Sequence, residues 1–232
     1  MFESHCLVPP VDVVSSVLGH PNSFTHLTEL ILSNVPLHDE DLLNLGRLPS
    51  LDTLNISNTC IGDEAIAYLL PLKSTLACLD ISSNPRLTDD SCALLTFLTS
   101  LSFLDIRQTG VNMPGLRRFA RSVDPVRWTL TIEVPDTCLE YLSGMQHQYA
   151  IKLPAPLITY PQDSKSLTIE TLRSNLVVHA QCNPNISTGG SKMEMAQRLE
   201  DVLCRREDDL WVLDVMGWRE DLDEELELDG WK

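Results

Sequence analysis

Four stretches of this chain repeat one apolar spacing: Leu27-x-x-Leu30-x-Leu32, Leu51-x-x-Leu54-x-Ile56, Leu76-x-x-Leu79-x-Ile81 and Leu101-x-x-Leu104-x-Ile106. The steps between them are 24, 25 and 25 residues. A unit that short cannot bury its own apolar face. It must stack against copies of itself, which constrains the chain to a solenoid. The alternation at the end of each stretch predicts a short strand with inward-pointing aliphatics. A weaker fifth copy is Arg127-x-x-Leu130-x-Ile132, and a still weaker one sets Cys6 and Val8 in the last two apolar slots ahead of the array. Three residues past each strand comes Val35, Thr59, Asn84 or Thr109, followed by an apolar-x-acid signal: Leu37-His38-Asp39, Ile61-Gly62-Asp63, Leu87-Thr88-Asp89. An aspartate there predicts a helix start, its carboxylate accepting orphan N–H groups. Helices are expected over roughly 40–46, 64–70 and 90–98. In the fourth unit Pro114 suits a first helical turn.

These motifs resemble the cysteine-containing, ribonuclease-inhibitor-like class of leucine-rich repeats, with Leu87-Thr88-Asp89-Asp90 closest to its helix-start signal. The resemblance covers residues 20–135 and implies an α/β solenoid with parallel strands inside and helices outside. It also implies a partner-binding concave face, and in that class such faces often serve as substrate receptors. With end caps, the solenoid is expected to occupy residues 1–153. One outward column on the strands reads Ile31, Asn55, Asp80, Asp105, Thr131, and the next reads Ser33, Ser57, Ser82, Arg107, Glu133, with Cys78 and Phe103 on a neighbouring column. Asn55, Asp80, Phe103, Asp105 and Arg107 form the candidate protein-binding patch, suited to a basic peptide or loop.

After the repeats the composition changes. Residues 136–145 predict a short amphipathic helix, Tyr149 to Leu153 a strand closing the solenoid, and residues 154–162, with three prolines, an extended linker. Residues 163–206 read as two helices around the turn-rich loop Gln181 to Gly190. This stretch resembles the SAP domain, a helix-loop-helix module that commonly binds DNA. The matching residues are Leu172-Arg173-x-x-Leu176 and then Ile186-x-x-x-Gly190-x-Lys192-x-x-Met195-x-x-Arg198-Leu199. The resemblance implies a small all-α module after the solenoid, with DNA contacts from Lys165, Arg173, Gly190, Lys192 and Arg198. A helix N-terminus behind Gly189-Gly190 suits a phosphate. The module is nearly neutral, however, and DNA binding normally draws on many basic contacts.

Residues 207–232 carry a net charge of about −9 out of −16 for the 232-residue chain. Trp211, Leu213, Val215, Met216 and Trp218 interrupt the acid. They read either as a docked segment or as an acidic, aromatic partner motif. The seven cysteines are an odd number without a paired spacing, and reduced thiols are expected. No apolar run reaches the ~20 residues of a membrane helix. Met1-Phe2-Glu3-Ser4-His5 lacks a secretory leader's basic start. The expected setting is nuclear or cytoplasmic, the nucleus favoured by the SAP resemblance. No nucleophile elbow, phosphate loop or zinc-protease motif is present. Asp39-Glu40-Asp41 and Asp89-Asp90 fall at helix starts rather than as acid/base pairs. The reading is a non-catalytic nuclear adaptor without cofactor, binding a protein through the repeats and DNA or chromatin through the helices. The alternative is an interaction scaffold or ubiquitin-ligase substrate receptor with no nucleic-acid role.

Overall fold

A computed structural model of the chain describes residues 18, 24–123 and 130–218. The copy at Cys6 and Val8, Arg127 of the fifth copy and the acid run after Trp218 lie outside them. The chain divides into two compact units, the first holding residues up to Cys138 and from Asp214 onward, the second Leu139–Leu213.

The first unit is built on a parallel sheet of β1 (Glu29–Ile31), β2 (Thr53–Asn55), β3 (Cys78–Asp80), β4 (Phe103–Asp105) and β5 (Thr131–Glu133), paired in sequence order. The register sets Leu30, Leu54, Leu79, Leu104 and Ile132 side by side. Leu54, Leu79 and Leu104 are at most 1% exposed, and each such burial contributes roughly 1.5–3 kcal/mol. The return path of each repeat is a 3-10 helix (Asp39–Arg47), then α1 (Asp63–Leu69), α2 (Ser91–Leu95) and α3 (Met113–Ser122). Pro114 lies in the first turn of α3, as its fixed φ favours. Helix α2 is shorter than its sequence pattern suggests. The Thr96 hydroxyl donates to the Ala93 carbonyl at 2.7 Å, and Phe97 and Leu98 close i to i+3 bonds onto Leu94 and Leu95, so the chain tightens out of α geometry.

The aspartates of the apolar-x-acid signal do not cap their own helices. Each reaches the following repeat. Asp39 Oδ1 accepts the Gly62 N–H at 2.7 Å, Asp63 Oδ1 accepts the Thr88 N–H at 2.7 Å, and Asp89 Oδ1 accepts the Asn112 N–H at 2.7 Å. Asp63 Oδ2 also takes the Thr88 hydroxyl at 2.8 Å. The three carboxylates are therefore staples between neighbours, holding N–H groups at the N-caps of α1 and α3 and just ahead of α2. Gly115 makes room for one of them: a Cβ there would stand 2.5 Å from Asp89 Oδ1 and 3.0 Å from its Cα. The slot after the second and third strands is also explained. Asn84, fully buried, donates to the Ile56 and Ile81 carbonyls at 2.9 and 3.0 Å, and its Oδ1 accepts the Thr59 N–H at 3.0 Å.

The fifth copy is displaced from its sequence alignment. Ile132, not Leu130, pairs with Leu104. Val134 then takes the second inward slot, 1% exposed. A strand alternates with period two, so a slip of two residues keeps apolar side chains inward and leaves no trace in hydropathy. Cys60 is disulfide-bonded, against the expectation of thiols throughout, while Cys78, Cys92, Cys138, Cys182 and Cys204 are free. Burial pushes the Cys92 thiol up to about 12 and the Cys138 thiol up to about 11.

Helix α4 (Asp136–Ser143) leads to the second unit, whose main elements are α5 (Ile169–Cys182) and α6 (Lys192–Met216), with 3-10 turns at Met145–His147 and Pro161–Ser166. Its core gathers Leu172, Leu176, Met195, Ala196, Leu199 and Leu203, with Leu153, Ile158, Leu167 and Ile186 packed against it. Residues 154–162 are thus not a free linker. Ile158 packs on that core and its N–H donates to Asn175 Oδ1 at 3.0 Å. The expected strand from Tyr149 to Leu153 does not form, because side chains take its backbone groups. The Ala150 N–H donates to His179 Nδ1 at 3.2 Å, and the Ile151 carbonyl accepts Arg206 Nε and Nη2 at 2.9 and 2.6 Å. Helix α6 runs well past the expected end at residue 206. Leu210, Val212, Leu213 and Val215 are buried, and buried Asp209 accepts the hydroxyls of Tyr149 and Tyr141 at 2.6 and 3.0 Å.

Candidate protein-docking face

The outward side chains of the five strands form columns, since neighbouring strands lie ~4.8 Å apart and side chains alternate sides. In register, one column reads Glu29, Thr53, Cys78, Phe103, Thr131 and the next Ile31, Asn55, Asp80, Asp105, Glu133. The displaced fifth strand changes the predicted columns. Thr131 joins the aromatic column, and Glu133 stands beside Asp105 rather than beside Arg107. Four of the five predicted patch residues, Asn55, Asp80, Phe103 and Asp105, therefore lie on adjacent strands. Arg107 lies just past the end of β4. Glu133, placed one column away by the sequence alignment, belongs with Asp80 and Asp105.

Three polar residues of this column, Asn55, Asp80 and Asp105, each close a local turn. Asn55 Oδ1 accepts the Ser57 N–H and hydroxyl at 3.0 and 2.7 Å. Asp80 Oδ1 accepts the Ser82 N–H and hydroxyl at 3.0 and 2.7 Å. Asp105 Oδ1 accepts the Arg107 N–H at 2.9 Å. Asn55 Nδ2 also donates to Asp80 Oδ2 at 2.9 Å, linking two strands. The turns work because the next residue but one folds back over the strand end. In the same places Asn34, Asn58, Ser83 and Gln108 adopt positive φ of 53 to 63°, a region that Asn tolerates best among residues with a Cβ.

The fourth repeat differs at the side chain. Arg107 lays its guanidinium on Asp105, with Nε 3.1 Å from each carboxylate oxygen and Nη2 on Oδ2. The Asp105 side chain is 4% exposed and that of Arg107 is 54% exposed. Hydrogen bonding to Asp105 first, and the charges of Asp105, Glu133 and Asp80 after it, raise the basicity of Arg107. Beyond it, Ser82, Ser83, Arg107, Gln108 and Asp136 line a cavity of about 360 Å³. The face therefore offers a half-buried apolar pair (Cys78, Phe103) beside a carboxylate row, with one exposed guanidinium at its margin.

The residues predicted to contact DNA are arranged differently. Lys165 pairs with Glu200 at 3.0 Å. Arg198 Nη1 donates to the Ser187 and Gly189 carbonyls at 2.9 Å each, closing the loop before α6. The N-terminus of α6 is already occupied by an anion. Glu194 Oε2 accepts the Ser191 N–H and hydroxyl at 2.8 and 2.9 Å, and these bonds hold its carboxyl below the usual range. Gly190, at φ 121°, lies against the same carboxylate. Arg173 and Lys192 are exposed. The structure thus joins Gly190, Lys192 and Arg198 around one helix start, while Lys165 lies on the Pro161–Ser166 turn and Arg173 on α5.

No family model matches the chain. Leucine-rich repeat-containing protein 42 of Mus musculus is 34% identical over 120 residues, which is 47% of this chain. The Homo sapiens protein of the same name is 32% identical over the same length. The match spans 28% of the length of these curated relatives. No helix among the described residues is long and apolar enough to cross a membrane. The parallel ladder, its inward leucines and these relatives agree that the chain is a leucine-rich-repeat protein.

Proposed function

We propose that the chain is a non-catalytic interaction scaffold whose strand face receives a segment of a partner protein. The observation that carries this reading is the row Asn55, Asp80, Asp105, Glu133 beside Phe103, set at regular spacing on the sheet, with Glu133 exposed and Asn55, Asp80 and Phe103 half-buried. Five strands make a small platform, so the reading favours a linear segment over a second globular domain. For the second unit the proposal is a SAP-like helix-loop-helix. In its favour, Leu172, Leu176, Ile186, Met195 and Leu199, the apolar positions of that pattern, meet in one core. Its basic residues favour no nucleic-acid role, since Lys165 and Arg198 are engaged and Glu194 holds the helix start. The ground for preferring the nucleus over the cytoplasm goes with it.

A photo-crosslinking amino acid placed at Thr53 or Thr131 on the face, and at exposed Phe97 away from it, tests the scaffold reading in cells. Protein adducts are expected from the two face positions and should be lost when Glu133→Lys is added. Equal adducts from Phe97, or adducts indifferent to Glu133→Lys, would overturn the reading.

A further inference from the structure

The repeat chemistry shows what the turn after each strand needs. At the second and third strands a serine suffices: Ser57 on Asn55 and Ser82 on Asp80, each giving an N–H and a hydroxyl to the same oxygen. At the fourth strand the backbone N–H of residue 107 already makes the equivalent bond to Asp105 Oδ1 at 2.9 Å. The guanidinium is therefore more than the turn requires. It covers a carboxylate that is otherwise part of an acidic row, and it does so from an exposed position, 54% against 4%. Glu133 and Asp80 lie close enough to add their fields to it.

We propose that Arg107 is a place-holder: in the free protein it occupies the cation position on Asp105 that an arginine of a bound partner segment takes over. This rests on the scaffold reading and deepens it, naming the partner as an extended segment that carries arginine. The row is complementary in charge to such a segment, and Asp105 is presented in the planar, two-oxygen geometry that a guanidinium matches and an ammonium does not. Asp80 and Glu133 flank that position on the strands to either side, where further basic side chains of the segment can pair. Phe103, one column away on the same strand, gives an apolar or stacking contact. Competition from Arg107 keeps the free face from holding stray cations and sets a threshold for binding.

The test is fluorescence anisotropy of labelled oligo-arginine and oligo-lysine with the full chain, at about 50 and about 150 mM salt. Arg107→Ser restores the side chain of the neighbouring repeats, so the variant keeps the turn. It is expected to bind oligo-arginine about fivefold tighter than wild type, with a smaller gain for oligo-lysine. Asp80→Asn/Glu133→Gln is expected to weaken binding about tenfold, whereas Glu170→Gln/Glu207→Gln, with the same change of charge in the second unit, should stay within about twofold of wild type. If Asp80→Asn/Glu133→Gln weakens binding and Arg107→Ser does not tighten it, the place-holder is wrong and the docking face stands. If the face variant and the distant control behave alike, the attraction is only that of an acidic protein, and both readings fail.

Discussion

Asp63 shows what one carboxylate does in a stacked array. Its two oxygens hold the Thr88 N–H and hydroxyl across a repeat boundary. Asp63→Ala leaves the partly buried Thr88 N–H without its acceptor, and a loss of about 1–3 kcal/mol in urea unfolding is expected. Asp63→Asn retains one carbonyl oxygen and should lose less. Equal losses for the two variants would mean that the aspartate acts through charge rather than as a staple. His179 gives a second single-residue outcome. It is fully buried, its Nδ1 accepts the Ala150 N–H, and burial first, with Arg206 nearby, lowers its pKa from 6.5 to about 4. The unfolded chain therefore binds the extra proton between those values. The histidine's contribution is full above pH 6.5 and is lost as pH falls towards 4, at up to ~1.4 kcal/mol per pH unit. The stability difference between wild type and His179→Asn, whose Oδ1 can accept the same N–H, should shrink through that window. A constant difference from pH 7 to pH 4 would show that His179 does not titrate there.

At the scale of elements, α6 is the clearest case of structure exceeding its sequence reading. The acid of Glu207, Asp208 and Asp209 reads as the start of a separate acidic tail, docked or partner-binding, yet Leu199, Leu203, Leu210 and Leu213 continue one stripe at helical spacing. Asp209 is buried on that stripe because Tyr149 and Tyr141 supply donors from a distant part of the chain. Such a pairing cannot be read from local pattern. Tyr149→Phe is expected to cost about 1–3 kcal/mol and to speed amide exchange in the second half of α6. Unchanged exchange there would deny that the tyrosine anchors the helix. The strands show the opposite balance. Their leucines fixed β1 to β4 and the candidate residues Asn55, Asp80, Phe103 and Asp105 from spacing alone. The failure came at β5, where period-two alternation cannot tell Leu130 from Ile132, and it put Glu133 in the wrong column. The staple role of Asp39, Asp63 and Asp89 was hidden for a related reason. A carboxylate before a helix looks the same whether it caps its own helix or holds the next one.

The whole molecule carries a formal charge of −16, and this bears on stability as well as on partners. Pairs such as Lys165–Glu200 and Arg118–Asp89 engage some of the cations locally, each involving a largely exposed basic side chain. Exposed pairs of this kind are worth roughly 0–1 kcal/mol and weaken with salt. The remaining acid excess acts over longer range, and self-repulsion in a compact state opposes folding. Ionic strength therefore pulls two ways, and the excess decides. Raising sodium chloride from about 20 to about 300 mM shortens the screening length from ~20 Å to under ~10 Å, which removes long-range repulsion before it erases contacts at 3–4 Å. The melting temperature should rise over that range and then level off. A fall instead would mean that the local pairs outweigh the summed repulsion. The same salt series should weaken oligo-arginine binding while the fold becomes more stable, because the strand face and the net charge use one field in opposite senses. If binding and melting moved together, the binding change would have to be credited to folding, not to the carboxylate row.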